Sequence, residues 1–142
     1  ETDAPVFLKA AHKKGLHLMD ILTNEFQEGR TGNEVLAAAL KKAKYAGLKP
    51  QIYTHPIGYH GHGAGPTIGL WDQQEGVPHK GDYPLYHNTA YSIELNTKVF
   101  LPEWNKEIRM MMEEDAFFDE NGVRYIDGRQ EELYLIPRQI RE

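Results

Sequence analysis

The sequence changes character at Pro50, and this change limits the possible folds more than any other feature. Residues 5–47 contain two stretches in which apolar side chains recur with the 3.6-residue period of an amphipathic helix. Residues 51–136 show no helical period, are rich in β-branched and aromatic residues, and are often interrupted by Gly and Pro. Helical and strand patterns that are segregated along a chain are typical of an α+β domain. We therefore predict two N-terminal helices packed on a mostly antiparallel sheet.

The first helix is predicted over residues 5–27. Its apolar stripe comprises Leu8, Ala11, Leu18, Ile21, Leu22 and Phe26. Gly15 interrupts this stripe, and a glycine inside a helix costs about 1 kcal/mol relative to alanine. Gly29 is expected to end the helix, because glycine readily adopts the left-handed conformation that follows a helix.

The second helix is predicted to begin at Thr31. Glu34 follows three residues later, and this spacing forms a capping box in which each side chain pairs with a backbone N–H of the other residue. The buried stripe is expected to comprise Val35, Leu36, Ala39, Leu40 and Ala43. Gly47 is expected to end this helix.

Strand-like segments dominate the rest of the chain. The predicted strands cover residues 51–55, 91–99, 106–118, 123–127 and 133–136. The residues at 119–122 read Asp-Glu-Asn-Gly, and Asn-Gly favours the positive φ angles of a tight hairpin. We therefore expect the third and fourth of these strands to be antiparallel neighbours. A Gly-rich stretch at residues 58–69 follows the first of these strands.

Composition excludes several classes of function. The chain has 142 residues, 40% of them apolar, which is enough for one domain with its own core. Its formal net charge is −5 and its Lys and Arg residues are scattered, so we expect no nucleic-acid partner. No apolar stretch approaches the roughly 20 residues of a membrane span, so we expect no membrane partner. Since the chain has no Cys, any metal must be held by imidazole and oxygen ligands.

The start of the chain gives an expectation about localisation. The sequence begins at Glu1 rather than at Met and has no signal-like apolar segment, as expected if an upstream segment is missing. Together with the lack of Cys, this slightly favours an exported or periplasmic location over a cytoplasmic one.

The segment of residues 53–66 carries the strongest chemical signal. It contains three histidines, His55, His60 and His62, among four glycines, just beyond a predicted strand. Imidazole is a common metal ligand and a proton shuttle, and glycine allows the backbone to approach a bound species closely. The simpler alternative is a polar surface loop in which the histidines have no common role.

Two glutamates further along the chain bear on the role of these histidines. Strand alternation places Glu94 on one face with Ser92 and Asn96, and it places Glu113 on one face of its own strand with Met111 and Asp115. A carboxylate among apolar strand residues is costly to bury unless it meets a cation. For either glutamate alone a salt bridge or a solvated face is the simpler explanation. Together with the histidine segment they suggest a shared cation.

Three motifs in this order resemble those of the pita-bread metallopeptidases, which include methionine aminopeptidase, Xaa-Pro aminopeptidase and prolidase. Residues 61–65 read Gly-His-Gly-Ala-Gly and are similar to the Gly-His-Gly-x-Gly segment of the family. Residues 91–94 read Tyr-Ser-Ile-Glu and fit the family's aromatic-Ser/Thr-Ile-Glu strand. Residues 113–118 begin with Glu-Glu-Asp, and a Gly-containing hairpin follows, as in the family's last ligand strand. The resemblance implies that residues 1–142 are the C-terminal half of a catalytic domain, the second half of a pita-bread fold.

The metal ligands that the resemblance implies are His62, Glu94 and Glu113. His55 would then face the substrate or support the ligands. The alternative assigns His55 as the ligand, because residues 55–62 also match the family pattern His-x-x-Gly-x-x-x-His. With His62 as ligand, Trp71 in a Leu-Trp-Asp segment takes the place of the family's second histidine. We prefer His62, and both alternatives remain open at this point.

Two departures from the family limit what the chain can do alone. The family's first two ligands are aspartates of the N-terminal half, and only Asp3 and Asp20 precede the histidine segment here. Some relatives have an Arg where this chain has Met111. We therefore expect the missing half of the domain to be a partner, and we expect partial or no metal occupancy in this chain.

The resemblance also implies a reaction. In the complete domain, two divalent ions (Mn, Zn, Co or Fe) would activate a water that hydrolyses a peptide, with cleavage next to proline favoured, as in an aminopeptidase or dipeptidase. Glu94 or Glu113 would handle the water proton, and His55 would orient the substrate or stabilise the developing oxyanion. His60 has no role in the family.

Two other hypotheses belong to different classes of function. One is a non-catalytic pita-bread module that binds peptides or proteins, and the other is a simple His-rich metal-binding protein. Under any of these, half a sheet leaves an exposed edge and an apolar face, so we also expect a homo-oligomer.

Overall fold

The computed structural model describes residues 3–136, which form two helices followed by six strands. The helices are α1 (Val6–Thr23) and α2 (Gly32–Tyr45). The strands are β1 (Pro50–Ile52), β2 (His55–Gly58), β3 (Gly61–His62), β4 (Thr89–Leu101), β5 (Lys106–Asp119) and β6 (Gly122–Tyr125). A short 3₁₀ turn, Pro102–Trp104, joins β4 to β5. The α+β layout predicted from the sequence is confirmed.

The six strands form one sheet in the order β3-β2-β4-β5-β6, and β1 pairs with β4 beside β2. All of these pairings are antiparallel. The longest pairing joins β4 to β5 and runs from Thr89 opposite Phe118 to Leu101 opposite Lys106. Every other strand is attached directly or indirectly to this pair.

The helices cover one face of the sheet. Alternate residues of β4 and β5 point into this layer, among them the buried Ile93, Leu95, Met112 and Ala116. The helices contribute a matching set of buried side chains: Leu18, Met19, Leu22, Val35, Leu36, Ala39 and Ala43. Each large side chain removed from water contributes about 1.5–3 kcal/mol. This layer is the core of the described chain.

Gly15 allows α1 to lie close to the sheet. The residue is buried, and a Cβ added there would lie 2.7 Å from Sδ and 2.8 Å from Cγ of Met112 on β5. Contacts that short are not tolerated, so a larger residue would push the helix away from the strand or displace Met112. The interruption in the apolar stripe is therefore a packing feature of the helix rather than a weak point.

The capping box at the start of α2 is confirmed. The Glu34 N–H donates to Thr31 Oγ1 at 3.2 Å, and the Thr31 N–H donates to Glu34 Oε2 at 2.7 Å. These bonds satisfy two backbone donors that a helix start otherwise leaves unpaired. The helix ends at Tyr45, and Gly47 follows with a φ of +79°, as its predicted role requires.

The first helix is shorter than predicted. It ends at Thr23 rather than near residue 27, and Gly29 lies in the following turn with a φ of +84°. Phe26 is nevertheless buried, and its ring packs edge-to-face on Tyr91 and Phe118 at centroid distances of 5.0 and 5.6 Å. An apolar residue that fitted the helical period thus belongs to the core beyond the helix end.

The strand predictions need two corrections. Residues 133–136 do not form a strand, and Leu135 and Ile136 are largely exposed. The strand predicted at residues 51–55 is divided into β1 and β2. Thr54 forms a bridge with Ile68 outside the sheet, so the ladder is interrupted there.

No helix within residues 3–136 is long and apolar enough to cross a membrane.

A buried carboxylate ties the α1–α2 connection to α2. Glu25 accepts hydrogen bonds from Arg30, at 3.0 Å, and from Lys42. Burial raises the pKa of Glu25, but the hydrogen bonds from Lys42 and Arg30 outweigh this effect and leave the pKa below its ordinary value. The carboxylate therefore stabilises the fold in its charged form.

Replacing Glu25 with Gln should lower the free energy of unfolding by about 1–2 kcal/mol at pH 7, because charge-assisted hydrogen bonds are lost. Since the folded-state pKa is depressed, this contribution is present above the unfolded-state pKa and disappears as pH falls through the folded value. Urea unfolding at pH 7 and in acid measures both effects. The matched control is Glu120→Gln in the exposed β5–β6 turn. A difference from wild type that persists unchanged in acid would contradict the ion-pair explanation.

Candidate active site

The candidate site lies on the sheet face opposite the helices. The register places Glu94 directly opposite Glu113, and Ser92 directly opposite Asp115. Residues opposite each other in an antiparallel pair project to the same face, so these four polar side chains share one surface. The neighbours Ile93 and Leu95 point into the core instead. The alternation predicted from the sequence is therefore correct for both strands.

His55 meets Glu94 on this face. His55 begins β2 opposite Ser92, and its Nε2 lies 2.8 Å from Glu94 Oε1. Its Nδ1 lies 2.9 Å from the carbonyl oxygen of Pro56. Both partners are acceptors, whereas a neutral imidazole has only one N–H. The two hydrogen bonds thus require one additional proton, carried by His55 or by the Glu94 carboxyl group.

His62 stacks on His55 but does not bond to Glu94. The two imidazole rings lie 4.0 Å apart, with an angle of 21° between their planes. Nε2 of His62 instead lies 2.8 Å from the Tyr53 hydroxyl. The short β2–β3 hairpin, in which Ile57 pairs with His62, brings the second histidine back over the first.

The glycines of this hairpin are required by close backbone contact. A Cβ at Gly58 would lie 2.8 Å from the Gly63 Cα, and a Cβ at Gly63 would lie 2.8 Å from the Ile57 carbonyl group. Only glycine fits at either position without moving the backbone. The Gly-rich character of the segment thus serves to fold the two histidines onto each other.

Glu113 stands across from Glu94 with its side chain exposed. Like charges directly opposite each other in a sheet are destabilising, and within residues 3–136 Glu113 has no ion-pair partner. His60, the third histidine of the segment, is exposed and packs only against the Tyr59 ring. The structure thus brings together His55, His62, Glu94 and Glu113, and leaves His60 outside.

The donors of this cluster are suited to a divalent cation, although they are not arranged as a complete site. Imidazole nitrogen and carboxylate oxygen are the ligands that zinc, manganese, cobalt and iron accept. Glu94 is paired with His55, whereas Glu113, directly opposite it, adds a second carboxylate to the same face. Within the part of the chain that the structure describes, no group of three or more His, Asp or Glu is placed to hold a metal ion. The described residues therefore do not form a metal site by themselves.

Two residues of the cluster were not identified from the sequence. Thr54, fully buried, accepts a hydrogen bond from the Glu94 N–H and donates one to the Glu94 carbonyl oxygen. Tyr53 contacts His62 through its hydroxyl group. Alternation could have indicated Tyr53, because it lies two residues before His55 on the same face of the chain. No sequence signal distinguishes Thr54 from an ordinary strand threonine.

Trp71 borders the cluster on the side of Tyr53. Its ring packs edge-on against the Tyr53 ring at 5.5 Å, and its carbonyl oxygen accepts a hydrogen bond from Gln51. The Gln51 side chain in turn accepts one from Asn96 on β4 at 2.9 Å. This chain of contacts attaches the loop that carries Trp71 to the sheet.

The architecture is that of the second half of a pita-bread domain, and comparison with solved structures supports this fold. The chain is similar to the X-Pro aminopeptidase from Thermotoga maritima MSB8, with a TM-score of 0.63 and 19% sequence identity. The match covers 94% of this chain and 35% of that chain, so the present chain spans about a third of the aminopeptidase. No protein-family model and no curated protein matches the sequence. At this identity the likeness shows the fold alone.

Thr54→Val should destabilise the fold at Glu94, because the two hydrogen bonds between the Thr54 hydroxyl and the Glu94 backbone are lost at a buried position. We expect a loss of about 1–3 kcal/mol in unfolding free energy. Thr54→Ser should restore most of it. Thr89→Val removes a single hydroxyl bond at the exposed start of β4 and serves as the matched control. Equal losses for the Thr54 and Thr89 variants in urea unfolding would argue against this role.

Proposed function

We propose that this chain is the C-terminal half of a metal-dependent peptidase domain whose substrates are peptides with an Xaa-Pro bond. The observation that carries the proposal is that His55 bonds to Glu94, which lies directly opposite Glu113 on the same sheet face. The shared fold with an X-Pro aminopeptidase supports the class of reaction. The motifs that resemble the pita-bread metallopeptidases lie in the strands that build this face.

The geometry favours His55 over His62 as the metal-binding histidine. His55 Nε2 is already in contact with Glu94, whereas His62 Nε2 faces Tyr53. We therefore propose His55, Glu94 and Glu113 as ligands, and we propose that His62 faces the substrate. The first alternative from the sequence, with His62 as ligand, is tested by the same experiment. With His55 as ligand, the cation would take the place of the proton that His55 and Glu94 share.

The residues of the face have separate tasks in this proposal. Divalent ions, when bound, lower the pKa of a coordinated water towards neutrality and so supply hydroxide. Glu94 and Glu113 would hold negative charge beside such a water, and one of the two would accept its proton. His62, exposed at the hairpin, donates a hydrogen bond to the carbonyl oxygen of the scissile bond. Trp71 and Tyr53 exclude water from one side.

Completion of the site requires ligands from outside this chain. The resemblance assigns them to two aspartates of the other half of the domain, which we propose as the partner of this face. The competing function is a module that binds peptides without hydrolysis. It is favoured by the hydrogen bond between His55 and Glu94, which satisfies both groups without a metal.

Metal titration of the isolated chain tests the ligand assignment. We expect the isolated chain to bind Mn²⁺ weakly, as measured by the EPR signal of the Mn²⁺ that stays free. His55→Ala and Glu94→Gln should each reduce the affinity at least tenfold. His62→Ala should have a smaller effect, and His60→Ala is the matched control because His60 lies outside the cluster. A larger loss in His62→Ala than in His55→Ala would restore His62 as ligand. Binding that no variant weakens would favour the non-catalytic module.

The isolated chain should not hydrolyse Xaa-Pro peptides, because it supplies three of the five ligands implied by the resemblance. Addition of Mn²⁺, Zn²⁺ or Co²⁺ to the purified chain with a fluorogenic Xaa-Pro substrate checks this expectation. Sustained turnover would contradict the half-domain proposal.

The open sheet face should also cause self-association. Phe100 and Met111 lie on the same face as Glu94, and each is more than half exposed. Burial of such side chains between two copies is favourable. Phe100→Glu should weaken a dimer about tenfold in sedimentation or light scattering. Tyr45→Glu, at the exposed end of α2, is the control. A wild-type chain that stays monomeric at high concentration would contradict this expectation.

A further inference from the structure

Tyr53 contacts both His62 of the candidate site and Trp71 beside it. It lies between β1 and β2, and its backbone N–H donates to the Glu94 carbonyl oxygen at 3.0 Å. Its ring packs against Trp71, and its hydroxyl lies 2.8 Å from His62 Nε2. The residue is thus fixed at its backbone and ring, and only its hydroxyl faces the exposed histidine.

The hydrogen bond between Tyr53 and His62 has a preferred direction. A phenol is a much better donor than acceptor, and an unprotonated imidazole nitrogen is a strong acceptor. The ordinary pKa of a tyrosine hydroxyl is about 10, so Tyr53 keeps its proton near neutral pH. The stable arrangement therefore has the Tyr53 O–H donating to Nε2. The proton of a neutral His62 must then lie on Nδ1.

We propose that Tyr53 is a positioning residue that holds His62 in its Nδ1–H tautomer and presents that N–H to the carbonyl oxygen of a bound peptide. The inference rests on the proposed function only in its last step, the contact with the peptide. Within residues 3–136, no protein acceptor is bonded to His62 Nδ1, so this donor remains available.

The surroundings keep Tyr53 in this position. Hydrogen bonds through Gln51 and Asn96 attach Trp71 to β4. The ring that packs against Tyr53 is therefore held on the sheet. The stacking of His62 on His55 fixes the plane of the second imidazole. Because the plane of the His62 ring and the position of Nε2 are both fixed, the direction of the Nδ1–H bond is fixed as well.

The tautomer of His62 can be measured without metal or substrate. Long-range ¹H–¹⁵N correlation spectra of the histidine rings at pH 8, above the ordinary histidine pKa of about 6.5, distinguish Nδ1–H from Nε2–H forms. We expect wild-type His62 to show the Nδ1–H pattern. Tyr53→Phe should shift it towards the Nε2–H form that free imidazole side chains favour. Tyr59→Phe is the matched control, because Tyr59 contacts His60 only through its ring.

Titration with the dipeptide Ala-Pro then tests the last step. The His62 ring signals should shift on binding, and Tyr53→Phe should weaken the affinity at least threefold while Tyr59→Phe leaves it unchanged. An Nε2–H pattern in wild-type His62, or a pattern unaffected by Tyr53→Phe, overturns the inference. Affinity that Tyr53→Phe leaves unchanged overturns the peptide contact. Because these readouts need no metal, failure of Mn²⁺ binding counts against the proposed peptidase and not against the role of Tyr53.

Discussion

The structure depends on the full-length antiparallel pairing of β4 with β5. Side chains alternate between faces with a period of two, so one register places Leu95 and Met112 in the core and Glu94 and Glu113 on the open face. A slip of one residue would bury the carboxylates under the helices and expose the apolar set. The same constraint that builds the core therefore assembles the polar face. Core and candidate site cannot be altered independently along these strands.

The polar face carries two features that lower the stability of the fold. Two carboxylates directly opposite each other repel, and His55 bonded to two acceptors requires an additional proton. Such local conflicts are uncommon in a sheet that serves only as a scaffold, and they are typical of functional sites. Glu25, by contrast, is buried with two cationic partners, Arg30 and Lys42.

Glycine has two structural roles in this chain that a pattern of residue types does not separate. At Gly15 it lets a helix approach a strand, and at Gly58 and Gly63 it lets two backbone segments lie against each other. At Gly15 the requirement comes from the Met112 side chain, which is distant in sequence, and in the hairpin it comes from backbone atoms of nearby residues. The hairpin glycines fold His62 onto His55 and so give the cluster its stacked geometry.

The sequence by itself determined the order of helices and strands, the capping box at Thr31, and the faces on which Glu94 and Glu113 lie, because these follow from local periods and local hydrogen bonds. It did not determine where α1 ends, since Phe26 fits both a helix and the core. Only the tertiary structure decided that His55 meets Glu94 and that His62 meets Tyr53. These contacts depend on how β2 pairs with β4 and how the hairpin folds back. His55 and Glu94 are 39 positions apart, and His62 reaches Tyr53 only because the hairpin folds back, so neither contact follows from a local pattern in the sequence.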